Sequence, residues 1–475
     1  MYAASSAGRL RRSPSLVVCA CLLGVGVARP AEAFDIADLP TYREWGAEVA
    51  GTIQNEFRRT TSYTYAEGVD LNGDQFGGVN GYSFIWAASV QFRTLNSQWE
   101  NDPTAYNLRN IIRFSDELYQ RYWLDSGDGQ NGYVVAPGSL ERYYDDNAHM
   151  TVALMEAYEL TGAPRLLDRA IATHDFVLEG EDDYQGGGIY FREGAFGNKN
   201  TISTLQEARG AAMIYQATGE QRFLDDATRL LDWTNSHVQR SDGLYYQDYR
   251  ETGIDDISNV PLTNGAGMGV LTNLEMYDIT GDLAYLQEAR RVGYRASRQF
   301  QNTTDGRVWG GGYWAFELVD AWVDIYQHDG SLRWLVYASQ AIEFLKDNLE
   351  DDNGHYGRDW HEVSDPTWPE LDDWLLIDQA AVARAYLYTG LAEPPAMPGD
   401  YNNDRVVDGA NFLAWQRGES PAPLSAGDLQ AWQANLGASS GLITTLSVPE
   451  PSALWELATL VGLVQAGLRW RAFQR

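Results

Sequence analysis

Tyr158-Glu-Leu-Thr161-Gly162 recurs along the chain as Tyr215-x-x-Thr218-Gly219, Tyr277-x-x-Thr280-Gly281 and Tyr386-x-x-Thr389-Gly390, with Tyr326-x-x-Asp329-Gly330 as a variant. Successive motif tyrosines stand 49 to 62 residues apart. Before each motif runs an apolar-periodic stretch rich in small residues, such as Ala208-Arg209-Gly210-Ala211-Ala212-Met213-Ile214. The motif glycine suits a left-handed cap that stops this helix. A second, amphipathic helix then opens at Arg165–Leu178, Arg222–Val238, Ala284–Arg298 and Leu332–Leu349. Weaker copies stand upstream: Tyr42–Arg59 followed by Tyr82–Leu95, and Ala105–Tyr122, which pairs in this reading with the helix opening near Asp145. Residues 34–395 thus hold six outer and six inner helices. Such hairpins stack as an open array or close into a ring. Small residues on the inner helices and the lack of capping repeats favour closure. The expected class is all-α, an (α/α)6 toroid.

The loops that lead from an outer helix to the next inner helix are rich in Gly, Asp and aromatics: Asp70–Phe76, Gly186–Arg192, Asp242–Asp248, Asp305–Trp314 and Gly354–Trp360. They fall at equivalent places in the repeat and should crowd one end of the ring. Asp145 and Asp146 stand at that end, in Glu141-Arg142-Tyr143-Tyr144-Asp145-Asp146-Asn147-Ala148. Adjacent carboxylates resist double ionisation, so one pKa is pushed up. A helix N-terminus favours the charged form of the other. One acid and one base are what glycoside hydrolysis uses. Simple capping is the structural alternative, since acidic residues are common in first turns. Glycine-rich, aromatic loops around the pair suit a sugar cleft. Loop position nominates Asn80, Tyr82, Trp86, Arg192, Asn200, Asn264, Tyr313, Trp314 and Trp360 as substrate contacts, with core packing the alternative for each aromatic. His149, beside the pair, reads as structural. The chemistry requires no metal or cofactor, and no loop has nucleotide-site spacing.

The 475 residues carry 35 basic and 66 acidic side chains, a net charge of -31 and a pI near 4.4. That balance argues against nucleic acid or an anionic membrane surface as partner. It suits a protein acting on a neutral or cationic polymer. The 16 Trp and 28 Tyr serve core and sugar platforms alike. Arg9, Arg11 and Arg12, the apolar run Ser15–Ala28 and Ala31-Glu32-Ala33 form a secretory signal over 1–33, with the mature chain starting near Phe34. Both cysteines, Cys19 and Cys21, fall inside it.

Glu393-Pro-Pro-Ala-Met-Pro398 reads as a linker. Beyond it, Asp400, Asn402, Asp404, Asp408 and Asn411 place oxygens with the spacing of a calcium loop entering a helix. Arg405 replaces the usual glycine and Asn411 the final acid, and an acidic turn without metal is the alternative. Ser425–Asn435 repeats the helix without the loop carboxylates. Residues 448–475 combine Pro449-Glu450-Pro451, an apolar stretch from Ala453 to Leu468 interrupted by Glu456, and Arg469, Arg471 and Arg475. This is the pattern of a short stop-transfer anchor, or of a plain amphipathic tail.

Most of residues 40–390 resembles glycoside hydrolase family 76, the retaining endo-α-1,6-mannanases. The matching residues are Tyr143-Tyr-Asp145-Asp146-Asn147-Ala148, Ala157-Tyr158-Glu-Leu-Thr-Gly162, Gly188-Ile-Tyr-Phe-Arg192-Glu193 and Asn198-Lys199-Asn200-Thr-Ile-Ser203. The resemblance implies Asp145 as nucleophile, Asp146 as general acid/base and an α-1,6-mannan as substrate. Residues 399–437 look like a shortened dockerin-type module, which implies calcium and a cohesin-type partner. Residues 448–475 look like a PEP-CTERM sorting signal, which implies export, transient membrane anchoring and an envelope or extracellular location. The competing expectations are another toroid enzyme, such as an unsaturated glucuronyl hydrolase or an epimerase, and a non-catalytic glycan-binding protein.

Overall fold

The computed structural model describes residues 36–78, 80–125, 131–250, 260–361, 373–392, 398–402 and 407–437. The expected signal over 1–33, the tail over 448–475, Asp404 and Arg405 lie outside them. Outer and inner helices alternate along the chain: α1 (Leu39–Thr52), α2 (Ile85–Asn101), α3 (Ala105–Tyr122), α4 (Tyr144–Thr161), α5 (Pro164–Leu178), α6 (Thr201–Thr218), α7 (Gln221–His237), α8 (Thr263–Thr280), α9 (Leu283–Phe300), α10 (Gly312–Asp329), α11 (Arg333–Asn348) and α12 (Leu376–Gly390). The even-numbered helices pack in the order α2, α4, α6, α8, α10, α12, and α12 returns to α2. The ring is therefore closed, and the open array is excluded. The odd-numbered helices form the outer layer, each against the inner helix that precedes it; α1 packs on α12. One pairing differs from expectation. Helix α3 lies chiefly against α2 and only lightly against α4, because the short Asp102–Thr104 turn folds it back on its predecessor.

The motif explains the hairpins. In Gly162, Gly219, Gly281 and Gly330 φ lies between 63° and 70°, and each N–H donates to the motif tyrosine carbonyl at 2.7 Å. The threonine hydroxyls of Thr161, Thr218 and Thr280 donate back into their own helices at 2.6–2.8 Å and accept the N–H two residues on. That second bond aims the chain into the outer helix. Gly390 behaves differently. It stays inside α12, and a Cβ there would stand 2.5 Å from Arg43 Cγ on α1. Its role is the close approach that joins the last inner helix to the first outer one. Outer helices are amphipathic, whereas the first fourteen residues of α6, Thr201–Ile214, are all buried, as expected of an element packed on every side.

The ring axis is filled by charge as well as by apolar side chains. Arg93 of α2 contacts Glu156 of α4 at 3.0 Å, and Glu317 and Asp320 of α10 at 3.2 and 3.0 Å. Arg384 of α12 reaches Asp320 at 2.9 Å and Glu156 at 3.3 Å, and Arg209 of α6 meets Glu275 of α8 at 3.3 Å. Every inner helix contributes.

At one end the loops pair as short antiparallel ribbons. Strand β1 (Gly68–Asp70) sits between β2 (Gln75–Phe76) and the eighth strand, Asp373–Leu375, which ties the first loop to the last. Trp123–Leu124 (β3) pairs with Gly132–Tyr133 (β4), and Ile189–Tyr190 (β5) with Asn198–Asn200 (β6), which also holds Asp248–Arg250 (β7). In the C-terminal module, α13 (Gly409–Gln416) and α14 (Ala426–Asn435) pack through Phe412 and Trp432, ring centroids 4.8 Å apart. Among the described residues, no helix is long and apolar enough to cross a membrane.

Candidate active site

The repeat sets the cavity. Counting back twelve and thirteen residues from the motif tyrosines gives Asp146 and Asp145 on α4, Ser203 and Ile202 on α6, Gly265 and Asn264 on α8, and Trp314 and Tyr313 on α10. These are first-turn positions of inner helices, and all but Ser203 and Gly265 line a cavity of about 490 Å³ at the loop-covered end. That size is ordinary for a ligand pocket.

Tyr143 is the residue that caps α4, and its side chain makes no capping bond. The two aspartates occupy the second and third helical positions instead, so capping does not account for them. Asn147 explains the third residue of the motif. Its Oδ1 accepts the Tyr133 N–H at 2.8 Å, and its Nδ2 donates to the carbonyls of Tyr133 and Tyr143 at 3.0 and 2.7 Å. The helix entrance is thereby pinned to β4. Gln379 repeats the device on α12 against Tyr356.

Asp145 is partly buried and Asp146 is 8% exposed. Burial pushes Asp145 up to about 7, opposed by the Ser203 hydroxyl and reinforced by the charge of Asp248. Asp146 is pushed well above the carboxylate range, first by burial and then by the charge of Asp145. Ser203 Oγ stands 3.3 Å from Asp145 Oδ1 and 2.9 Å from Asn200 Oδ1. Asn200 caps α6 by accepting the Ser203 N–H at 2.9 Å, and its amide donates to Asp248 Oδ1 at 2.9 Å. The pair is thus asymmetric. Asp145 has a donor beside it and ionises first; Asp146 has none among the described residues and keeps its proton longer. Beneath them His149, 3% exposed, has its Nδ1 3.3 Å from the Gln206 amide. Burial, helped by the charge of Arg93, lowers His149 to about 3 and keeps it neutral.

Trp86, Asn200, Asn264, Tyr313 and Trp314 line the cavity with the pair. Trp86 meets Tyr313 edge-on at 5.2 Å, and Tyr313 meets Trp314 at 4.8 Å. Asn80, Tyr82, Arg192 and Trp360 do not line it. Trp360 is 1% exposed and packs over Gly312, where a Cβ would be 2.2 Å from its Nε1, so it is core. Tyr82 is held by the guanidinium groups of Arg59 and Arg121. Asn80 takes a left-handed backbone (φ 55°) and donates to the Pro137 carbonyl at 3.0 Å. Arg192 is exposed, bridged through its backbone to Tyr143. The cavity also includes Glu67, Tyr143, Phe191, Gln247 and Arg358, which were not nominated. Tyr143, Phe191, Gln247 and Arg358 lie inside stretches already singled out; Glu67 carries no local signal.

In the C-terminal module Asn411 Oδ1 accepts the N–H groups of Tyr401 and Asn402 at 2.6 and 3.1 Å, and Asp408 caps α13 through Ala410 N–H at 2.7 Å. Two of the five expected calcium oxygens are thus engaged with backbone. Among the described residues no group of three or more His, Cys, Asp or Glu is arranged to hold a metal ion.

A family model described as Glycosyl hydrolase family 76 matches residues 52–351. Mannan endo-1,6-alpha-mannosidases of Candida glabrata and Saccharomyces cerevisiae are 24% and 26% identical over 251 and 231 residues. The aligned parts cover 49% and 44% of this chain and 54% and 49% of the relatives, so the chain spans about half their length. A family 76 alpha-mannanase of Bacteroides thetaiotaomicron superposes with TM-score 0.66 and 27% identity, over 74% of this chain and 95% of that one. The alpha-1,6-mannanase of Salegentibacter sp. HEL1_6, solved with alpha-1,6-mannotriose as an inactive variant lacking two consecutive aspartates, shares the fold at TM-score 0.62 and 16% identity, over 74% and 100% of the chains. A cellobiose 2-epimerase of Bacillus thermoamylovorans shares it too, at TM-score 0.59 and 12% identity, over 74% and 99%; fold alone therefore does not choose the chemistry. The family match spans well over half of the chain and covers the inner helix that carries the aspartate pair, and the chain belongs to glycosyl hydrolase family 76.

Proposed function

We propose that the protein hydrolyses α-1,6-mannosidic bonds within an α-mannan-type polysaccharide, with retention at the anomeric carbon. The observation that carries this reading is the asymmetric pair of buried carboxyls at the first turn of α4, facing an aromatic cavity. Asp145, the first to ionise, attacks the anomeric carbon. Asp146 gives its proton to the departing glycosidic oxygen as the C–O bond breaks, leaving a mannosyl ester on Asp145. Asp146, now a carboxylate, removes a proton from water, which displaces Asp145 and restores both groups. Neighbouring carboxyls suit the ~5–5.5 Å separation of retaining enzymes better than the wider inverting gap. The mannosidase and mannanase activities of the relatives supply the substrate class. An epimerase chemistry would want a proton-transferring histidine, and His149, the one histidine among the described residues lining the cavity, is held neutral beneath the pair.

Release of reducing ends from yeast-type α-mannan tests the proposal, with the Asp145→Asn protein as blank. Asp145→Ala and Asp146→Ala should each lose activity by about 10²–10⁴-fold or more while keeping their fold. Azide should partly rescue Asp145→Ala by forming a mannosyl azide of inverted configuration. Near-normal turnover in either variant would sink the assignment.

A further inference from the structure

Away from the aspartate pair, the same cavity holds a second polar group that the cleavage chemistry does not use. Arg358, from the loop before α12, lines the cavity and is partly buried. Among the described residues its guanidinium has no hydrogen bond or ion pair. Glu67, from the loop before α2, also lines the cavity. Its Oε2 accepts the Phe84 N–H at 2.7 Å and its carbonyl accepts the Leu376 N–H at 2.8 Å, so the carboxyl is fixed in place. Asp378, in the first turn of α12, is 3% exposed, with Oδ1 buried and without a hydrogen-bond partner among the described residues.

The three groups belong together. Burial raises Glu67 and Asp378 to about 7, and the charge of Arg358 works against burial in both. Arg358 also acts on Tyr313, and it is not among the charges felt by Asp145 or Asp146. The Arg358 carbonyl accepts the Gly312 N–H at 2.7 Å, which seats Arg358 at the start of α10, three places from α4 around the ring. Packed helices stand ~8–10 Å apart, so Arg358 faces a different part of the substrate from the sugar under attack. A planar donor with no partner among the described residues, beside two carboxyls, matches neighbouring hydroxyls on a pyranose ring. The charge of Asp359, which acts on Asp378, and the chain's net charge of -31 make the surroundings unwelcoming to an anionic group.

We propose that Arg358, backed by Glu67 and Asp378, forms a sugar subsite remote from the bond that is cut and binds the hydroxyls of a neutral hexosyl residue further along the polymer. This rests on the polysaccharide hydrolysis proposed above. The test is kcat/KM on α-1,6-linked manno-oligosaccharides of three to six sugars, for the wild type, Arg358→Met and Glu67→Gln. In the wild type kcat/KM should rise with length. Arg358→Met should remove about tenfold or more of that rise, and Glu67→Gln part of it, with unchanged melting curves. Equal losses at every length, or no loss at any, would overturn the subsite and leave the hydrolysis standing. A wild type that cuts none of the series would overturn both.

Discussion

Asp145 and Asp146 are chemically alike and adjacent, so the different duties proposed for them have to come from their surroundings. The Ser203 hydroxyl lies beside Asp145, while Asp146 has burial and a neighbouring negative charge against its ionisation. The proposed mechanism needs Asp145 ionised and Asp146 protonated. The kcat/KM profile should therefore rise with pH as Asp145 ionises near 7, then fall at higher pH as Asp146 loses its proton. Removing the hydroxyl in Ser203→Ala withdraws the group that favours the Asp145 carboxylate. The acid limb should then move upward by roughly 0.5–1 pH unit while the alkaline limb stays. A profile that does not move would separate Ser203 from the titration. The place of the pair in the cavity was legible in the sequence only through its context: alone it reads as capping, but the repeat and the Gly- and aromatic-rich loops put it at the loop-covered end of the ring. Glu67 was not, because its place in the cavity comes from the pairing of β1 with residues 373–375, more than 300 residues away in the chain. Trp360 misled for the opposite reason: a loop aromatic near the right end of the ring turned inward onto a glycine.

The inner helices place the chemistry by where they start. Asn147 ties α4 to β4 and Asn200 caps α6, so the first turns that carry Asp145, Asp146 and Ser203 are fixed to neighbouring strands. Helix α10 begins at Gly312 directly beneath Trp360, with Tyr313 and Trp314 following into the cavity wall. Gly312→Ala would put a methyl 2.2 Å from Trp360 Nε1. It should destabilise the protein by about 1–3 kcal/mol and lower kcat/KM by displacing both aromatics. Thermal melts and kinetics of that variant check this, and an unchanged melting curve would contradict the packing. Helix spans were readable to within a residue or two at Ala105–Tyr122 and Arg165–Leu178, where the apolar stripe is strong. The start of α2 was read three residues early, at Tyr82 instead of Ile85, because Tyr82 and Phe84 look like helix aromatics but belong to the approaching loop.

The ring as a whole is closed twice, by α12 against α1 and α2 and by β1 against the strand at 373–375. Six-fold repetition made closure foreseeable; the charged axis was not, because each Arg or Glu appears alone within its own helix. Burial would raise Glu156, but Arg384, Arg93 and Arg209 overrule it and hold it at about 2. A depressed carboxyl stabilises above its unfolded pKa and loses that contribution as pH falls towards the folded value. The contribution of Glu156 should therefore survive mild acid and weaken between about pH 4.5 and 2. Arg384→Met strands Glu156 and Asp320 in the interior, and should cost about 3–5 kcal/mol at neutral pH, a loss visible in denaturant melts and smaller in acid. A variant as stable as the wild type would show the axis to be passive. All of this scaffolding holds one pair of carboxyls against one bond, and the proton NMR spectrum of the first product released from α-1,6-mannotetraose tests that claim most directly. The newly formed reducing end should appear first as the α-anomer and mutarotate afterwards. A β-anomer appearing first would contradict the assignment of Asp145 as nucleophile and Asp146 as acid/base.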